Sequence, residues 1–150
     1  SGSQFRVSTL LRHTGLVVMD LDTAVGFWCN ALGFKVVRRM EESGESLEVV
    51  TGLDNVVVTT VKLVDPNGSM LELLQFHSHP DISEWMGTPF STGLTHIALT
   101  VEDIEAVCKK VVDLGGTHNP VCVSSDGRVK MTFCRGPEGL LLELVEESGQ

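Results

Sequence analysis

Two stretches of this chain are copies of one another, and that limits its possible folds more than any other feature. Leu11-Arg12-His13-Thr14-Gly15-Leu16-Val17-Val18-Met19-Asp20-Leu21-Asp22 lies over Leu94-Thr95-His96-Ile97-Ala98-Leu99-Thr100-Val101-Glu102-Asp103-Ile104-Glu105 with an offset of 83 (13 to 96), and His, Leu, Val and Asp recur in register. Pro66-Asn67-Gly68-Ser69-Met70-Leu71-Glu72-Leu73 lies over Pro137-Glu138-Gly139-Leu140-Leu141-Leu142-Glu143-Leu144 with an offset of 71 (72 to 143). The second copy is therefore twelve residues shorter between its landmarks (83 against 71), a difference that belongs in a loop or hairpin. A unit of about 70 residues buries little core alone. Two such units pack together, and the cleft between them is a natural place for a small-molecule site.

Both copies run through the same local patterns. His13 to Met19 is a short apolar run of strand type, followed by a helix capped by Asp20 or Asp22, with Leu21, Val25, Trp28 and Leu32 at helical spacing and Gly33 as its stop. In the second copy Asp103 caps, Ile104, Val107, Cys108 and Val111 share a face, and Gly115-Gly116 stops the helix. Strands are expected at about 34–40, 46–51, 56–64 and 69–76, then at about 118–123, 128–135 and 140–146. The whole chain, 1–150, reads as one α+β domain of two repeats, about 10–76 and 93–146, joined by a Pro-, Gly-, Ser- and His-rich connector at about 77–92.

Charge excludes some functions. Eleven basic against twenty acidic side chains leave a net charge of −9, which argues against nucleic acid or an anionic membrane as partner. No apolar run is long enough to span a bilayer, and Ser1-Gly2-Ser3-Gln4 does not open a secretory leader. The four cysteines, Cys29, Cys108, Cys122 and Cys134, contain no C-x-x-C pair and read as reduced, mostly buried thiols of a cytoplasmic protein.

Repeated apolar positions need no functional explanation, since two like folds need two like cores. Repeated polar positions inside apolar strands do. Two stand out: His13 with His96, and Glu72 with Glu143. One strand histidine or one alternating glutamate is usually a satisfied or solvent-facing residue. Here a histidine opens and a glutamate closes each copy, and two imidazoles with two carboxylates suit a divalent cation.

With these residues in place, and with Thr23-Ala24-Val25-Gly26-Phe27-Trp28 leading to Ala31-Leu32-Gly33-Phe34, the chain resembles the vicinal oxygen chelate superfamily over about residues 10–146. That superfamily includes glyoxalase I, methylmalonyl-CoA epimerase, extradiol dioxygenases and the bleomycin- and fosfomycin-resistance proteins. The resemblance implies tandem βαβββ modules forming a cupped, mostly antiparallel sheet around a metal cleft. It also implies that His13, Glu72, His96 and Glu143 occupy the four metal-ligand positions. A carboxylate at position 72 argues against the three-ligand set of oxygen chemistry and leans towards glyoxalase I.

The resemblance then implies a metal-dependent lyase or isomerase of the lactoylglutathione lyase type. It would act through a metal-bound enediolate on an α-carbonyl, thiohemiacetal-type substrate, with glutathione as co-substrate. Glu143 is the expected base and Glu72 its partner carboxylate. One divalent ion per site is implied, with nickel, cobalt, zinc, manganese and iron all suited to the ligands, in a homodimer. The alternative enzyme is an acyl-CoA epimerase acting on a thioester, because Ser46-Leu47-Glu48-Val49-Val50 resembles the epimerase strand that carries a second acid/base glutamate. Glu48 would then oppose Glu143. The alternative of another class is a non-catalytic small-molecule binding or drug-resistance protein, for which the four-residue set would be superfluous. His77, His79 and His118 have no repeat partners and read as surface or substrate-loop residues.

Overall fold

The computed structural model describes residues 8–148, so the Ser1–Gln4 start lies outside the described residues. The first half contains β1 (Thr14–Val17), α1 (Leu21–Asn30), β2 (Lys35–Ser43), α2 (Glu45–Thr51), β3 (Val57–Val64) and β4 (Met70–Phe76). The second contains β5 (Ile97–Thr100), α3 (Ile104–Asp113), β6 (Thr117–His118), β7 (Cys122–Val123), β8 (Val129–Arg135), a single 3-10 turn (Pro137–Gly139) and β9 (Leu141–Glu147). Residues 77–96 between the halves form no helix or strand.

Each half builds one sheet in the same way. The first has the order β1-β4-β3-β2 and the second β5-β9-β8-β6, with β7 also on β8. The opening strand lies parallel to the closing strand in both, β1 on β4 and β5 on β9, while the other pairs are antiparallel. Parallel neighbours need a crossover, and α1 and α3 supply it on one face of each sheet. Asp20 and Asp103, repeat partners, cap these helices by accepting the backbone N–H of Thr23 and Ala106. Those contacts hold the Asp20 carboxyl below its usual range.

The core runs through both halves as one cluster. Phe27 and Trp28 of α1, Leu63, Leu71 and Leu73 of the first sheet, Ile104 and Val111 of α3, and Leu142 and Leu144 of β9 all belong to it. Gly136 packs so closely on Phe27 that a Cβ there would sit 2.8 Å from the ring. Cys108 and Cys134 are buried in this core, and burial pushes the Cys134 thiol up to about 12. All four cysteines are free; Cys122, expected among the mostly buried thiols, is exposed on the short β7.

The expected strand at 46–51 is instead the helix α2. Gly44 at φ 108 and Gly52 at φ 71 bracket Glu45-Ser46-Leu47-Glu48, and the Gly52 N–H closes the helix on the Glu48 carbonyl. Val49 and Val50 drive strand propensity, yet here they are 76% and 82% exposed, because no neighbouring strand offers a face to bury them. This helix joins β2 to β3, where the second half has only the turn between β7 and β8, so the length difference between the copies falls largely here. The expected strand at 118–123 is broken into β6 and β7 at Asn119-Pro120, since proline offers no N–H to the ladder. Among the described residues no helix is long and apolar enough to cross a membrane.

Ile104 is fully buried where α3 meets its sheet. Ile104→Ala is expected to cost about 2–5 kcal/mol, and Asp103→Ala, beside it, about 1 kcal/mol from the lost cap. Urea unfolding of the two variants against the parent checks both values.

Candidate metal centre

His13 immediately precedes β1 and His96 immediately precedes β5. Glu72 and Glu143 lie on the neighbouring parallel strands, where Glu72 is in register with Gly15 and Glu143 with Ala98. Side chains two apart on a strand share a face, so each histidine projects on the side of its glutamate. The intervening residue is small in both copies, glycine in one and alanine in the other, which leaves room for the carboxylate to reach the ring. This signal is present in the sequence but unreadable until the strands are paired.

The contacts are nearly identical in the two halves. His13 Nε2 is 3.4 Å from Glu72 Oε1, and His96 Nε2 is 3.3 Å from Glu143 Oε1. All four side chains are partly buried, 15–31% exposed. The rings are held differently. His96 Nδ1 is 2.8 Å from the Thr95 hydroxyl, and the ring stands edge-on to Phe133. His13 Nδ1 is buried with no hydrogen-bond partner, since Arg12 stands where Thr95 stands in the second copy.

Donor chemistry fits a divalent ion. Where Thr95 Oγ1 accepts from Nδ1–H, His96 Nε2 presents a lone pair beside a carboxylate, and two acceptors side by side call for a shared cation or proton. Ligands of one ion with bonds of about 2.1 Å lie about 3.0 to 3.4 Å apart at octahedral or tetrahedral angles. The structure brings these four residues together as two pairs. No three of them have ligand atoms within 4.8 Å of one another.

A second acidic group, Asp103, Glu105 and Glu146, does meet that distance. Lys130 Nζ already lies 3.3 Å from Glu105 and 3.9 Å from Glu146, and backbone N–H groups of Ile104 and Ala106 occupy Glu146 and Asp103. That cluster is a solvated ion-pair network at the start of α3.

Glu48 is not on a strand, so the resemblance that suggested a second acid/base glutamate is not met. It sits on α2, and its carboxylate accepts the Asn55 N–H at 3.3 Å. His77 Nε2 meets the Thr59 hydroxyl at 2.7 Å, His79 Nδ1 the Ser78 hydroxyl at 2.7 Å, and His118 Nδ1 its neighbour's carbonyl at 2.7 Å. Among the cationic side chains, Arg39 pairs with Asp22 at 3.8 Å, while Arg135 donates to the Gly87 and Gly139 carbonyls and stacks on Trp85.

The family model of the Glyoxalase/Bleomycin resistance protein/Dioxygenase superfamily matches residues 10–144. The chain belongs to that superfamily. It is 30% identical over 146 residues to a probable lactoylglutathione lyase of Synechocystis, covering 93% of this chain and 97% of that one. It is 29% identical over 143 residues to a lactoylglutathione lyase of Escherichia coli O157:H7, covering 91% and 92%. Among solved structures, a glyoxalase family protein of Bacillus cereus superposes with a TM-score of 0.86 at 30% identity, covering 97% of this chain and all of that one.

Ala98→Leu fills the space beside Glu143. It is expected to break the His96–Glu143 contact while preserving the far-UV circular dichroism of the fold, and the 15N chemical shifts of the His96 ring report the change.

Proposed function

We propose that the protein is a divalent-metal-dependent lyase or isomerase of the glyoxalase I type, acting on the adduct of an α-carbonyl compound with a thiol such as glutathione. The observation that carries this reading is the duplicated His Nε2–Glu Oε1 pair, at 3.4 and 3.3 Å on matching strands of two sheets. Names of the relatives from Synechocystis and Escherichia coli support the substrate class. The epimerase reading loses its support with the strand placement of Glu48.

His13, Glu72, His96 and Glu143 would hold the ion, with the two pairs completing one site either within one chain or across two copies of it. Bound there, a divalent cation of nickel, cobalt, zinc, manganese or iron supplies Lewis-acid polarisation of a carbonyl oxygen. Glu143 would take the proton from the carbon next to that carbonyl and a solvent-exchangeable proton would return to the neighbouring carbon, while the hydroxyl proton moves to the former carbonyl oxygen, which balances an isomerisation without any redox partner. Glu72 is the second ligand carboxylate and the partner of Glu143. The Thr95 hydroxyl orients the His96 ring.

A homodimer fits this reading. The segments leading into His13 and His96 expose Leu10, Leu11, Phe90 and Leu94 at 77%, 90%, 88% and 94%, which a second copy would cover. Four free thiols, two of them buried in the core, are in keeping with a cytoplasmic protein.

Purified protein is expected to carry about one divalent ion per chain, reduced in Glu72→Gln and in Glu143→Gln, by elemental analysis. Turnover of the methylglyoxal–glutathione adduct in deuterated solvent should place deuterium on the product carbon, and Glu143→Gln should abolish it. No metal after reconstitution with nickel, cobalt and zinc sinks the proposal. Thr95→Val removes the support of the His96 ring and is expected to weaken metal affinity about tenfold or more, read from a chelator competition.

A further inference from the structure

The face of the first sheet that carries Glu72 also carries three cations. Glu72 of β4 is in register with Lys62 of β3, and Lys62 with Arg38 of β2. Residues opposite one another on paired strands share a face, and strands lie about 4.8 Å apart. The row Glu72, Lys62, Arg38 therefore runs outward from the proposed metal centre over about 10 Å of sheet. Lys35 belongs to the same face, opposite Val64, whose own partner is Met70.

Strict alternation would not produce this arrangement. Lys35 and Arg38 are three residues apart, which in a regular strand puts them on opposite faces. The β2–β3 register shifts between Val36 and Arg38, so Val37 is an extra residue, and the bulge turns Arg38 onto the face of Lys35 and Lys62. Among the described residues none of the three forms an ion pair, whereas Arg39 on the other face, Lys109 and Lys130 all do. Glu72 directs its Oε1 to His13 instead of Lys62. Glu42, the next acid on this face of β2, lies about 13 Å along the strand from Arg38. The offset of 71 that takes Glu72 to Glu143 takes Lys62 to Phe133, the register partner of Glu143. The second sheet thus sets an aromatic ring against His96 where the first sets a charge, and the fold itself does not require that charge.

We propose that Arg38 and Lys62, with Lys35 beside them, form a subsite for a carboxylate carried by the ligand. The planar guanidinium of Arg38 takes a carboxylate through two N–H bonds, and the Lys62 ammonium adds a further donor. Lys62 and Arg38 are half-buried and exposed, so both are open to a molecule lying on the sheet. A single carboxylate suits the subsite better than a polyphosphate, because the three cations stand on a chain of net charge −9. This deepens the proposed function and rests on it for the reaction alone: the substrate is an anion, oriented with its reacting carbonyl at Glu72 and its carboxylate over β2 and β3. Capture of the carboxylate does not require the metal.

The test uses 4-phenylbutyrate and its neutral isostere 4-phenylbutanamide as probes, on chelator-treated protein, by calorimetry and by the backbone amide shifts of β2 and β3. The acid is expected to bind about tenfold more tightly than the amide, and to lose part of that preference in high salt. Arg38→Gln combined with Lys62→Gln should bring the two probes to near-equal affinity. Should the double variant unfold, Arg38→Gln alone, at an exposed position of an edge strand, is expected to lower the preference about threefold or more. Lys110→Gln, an exposed lysine of α3, removes the same charge elsewhere and should keep the preference. Equal affinity in the parent, a preference that survives in the folded variants, or an equal loss in Lys110→Gln overturns the proposal. Glu143→Gln separates it from the metal reading: that variant should lose metal and still prefer the acid. A parent that takes up no metal yet prefers the acid overturns the metal reading and supports the subsite.

Discussion

The parallel pairing of the first strand of each half with its last is the constraint on which the rest depends. Without it, His13 and Glu72 are distant in the chain, and so are His96 and Glu143. With it, the registers Gly15 on Glu72 and Ala98 on Glu143 bring each imidazole to its carboxylate. The pairing in turn relies on α1 and α3, which cross over one face of each sheet and bury Trp28, Ile104 and Val111 against it. Core packing and site geometry are therefore two faces of the same strands: Leu71 and Leu73 point into the core, and Glu72 between them points away.

Duplication explains the symmetry of the site, and divergence explains where it ends. The caps Asp20 and Asp103, the Pro-x-Gly turns and the His–Glu pairs have been kept in both halves. Three differences have accumulated around them. A helix replaces a turn between β2 and β3, Asn119-Pro120 splits the first edge strand of the second sheet, and Arg12 stands opposite Thr95 in the repeat. The last touches the site itself, since it leaves His13 Nδ1 without the hydroxyl that His96 Nδ1 enjoys. Two like pairs are thus held with unequal stiffness.

The turn that follows β8 meets the first half at the junction between the two. Glu138 reaches from the second half to the end of β1, and Gly136 packs against Phe27 because it has no Cβ to interfere. Arg135 ties Trp85 and Gly87 of the connecting segment to the same turn. These contacts fasten one half to the other beside a cavity that is largely apolar.

Much of this was legible in the sequence. Repeat offsets exposed the two copies, helical spacing and paired aspartates located α1 and α3, and the polar residues that recur inside apolar runs singled out His13, Glu72, His96 and Glu143. Those signals are local or periodic, which is why a linear reading can find them. What the tertiary structure decided depends on neighbours. Val49 and Val50 read as a strand until no partner strand was there to cover them, and Glu48 went with them onto a helix. Gly15 and Ala98 became the spacers that let the pairs form only once the parallel register was set. Glu138, an ordinary turn residue in sequence, came to bury one carboxylate oxygen and hold the Met19 N–H with the other only where the two halves pack together. Local preference is written residue by residue; burial, register and charge environment arise only when distant segments meet.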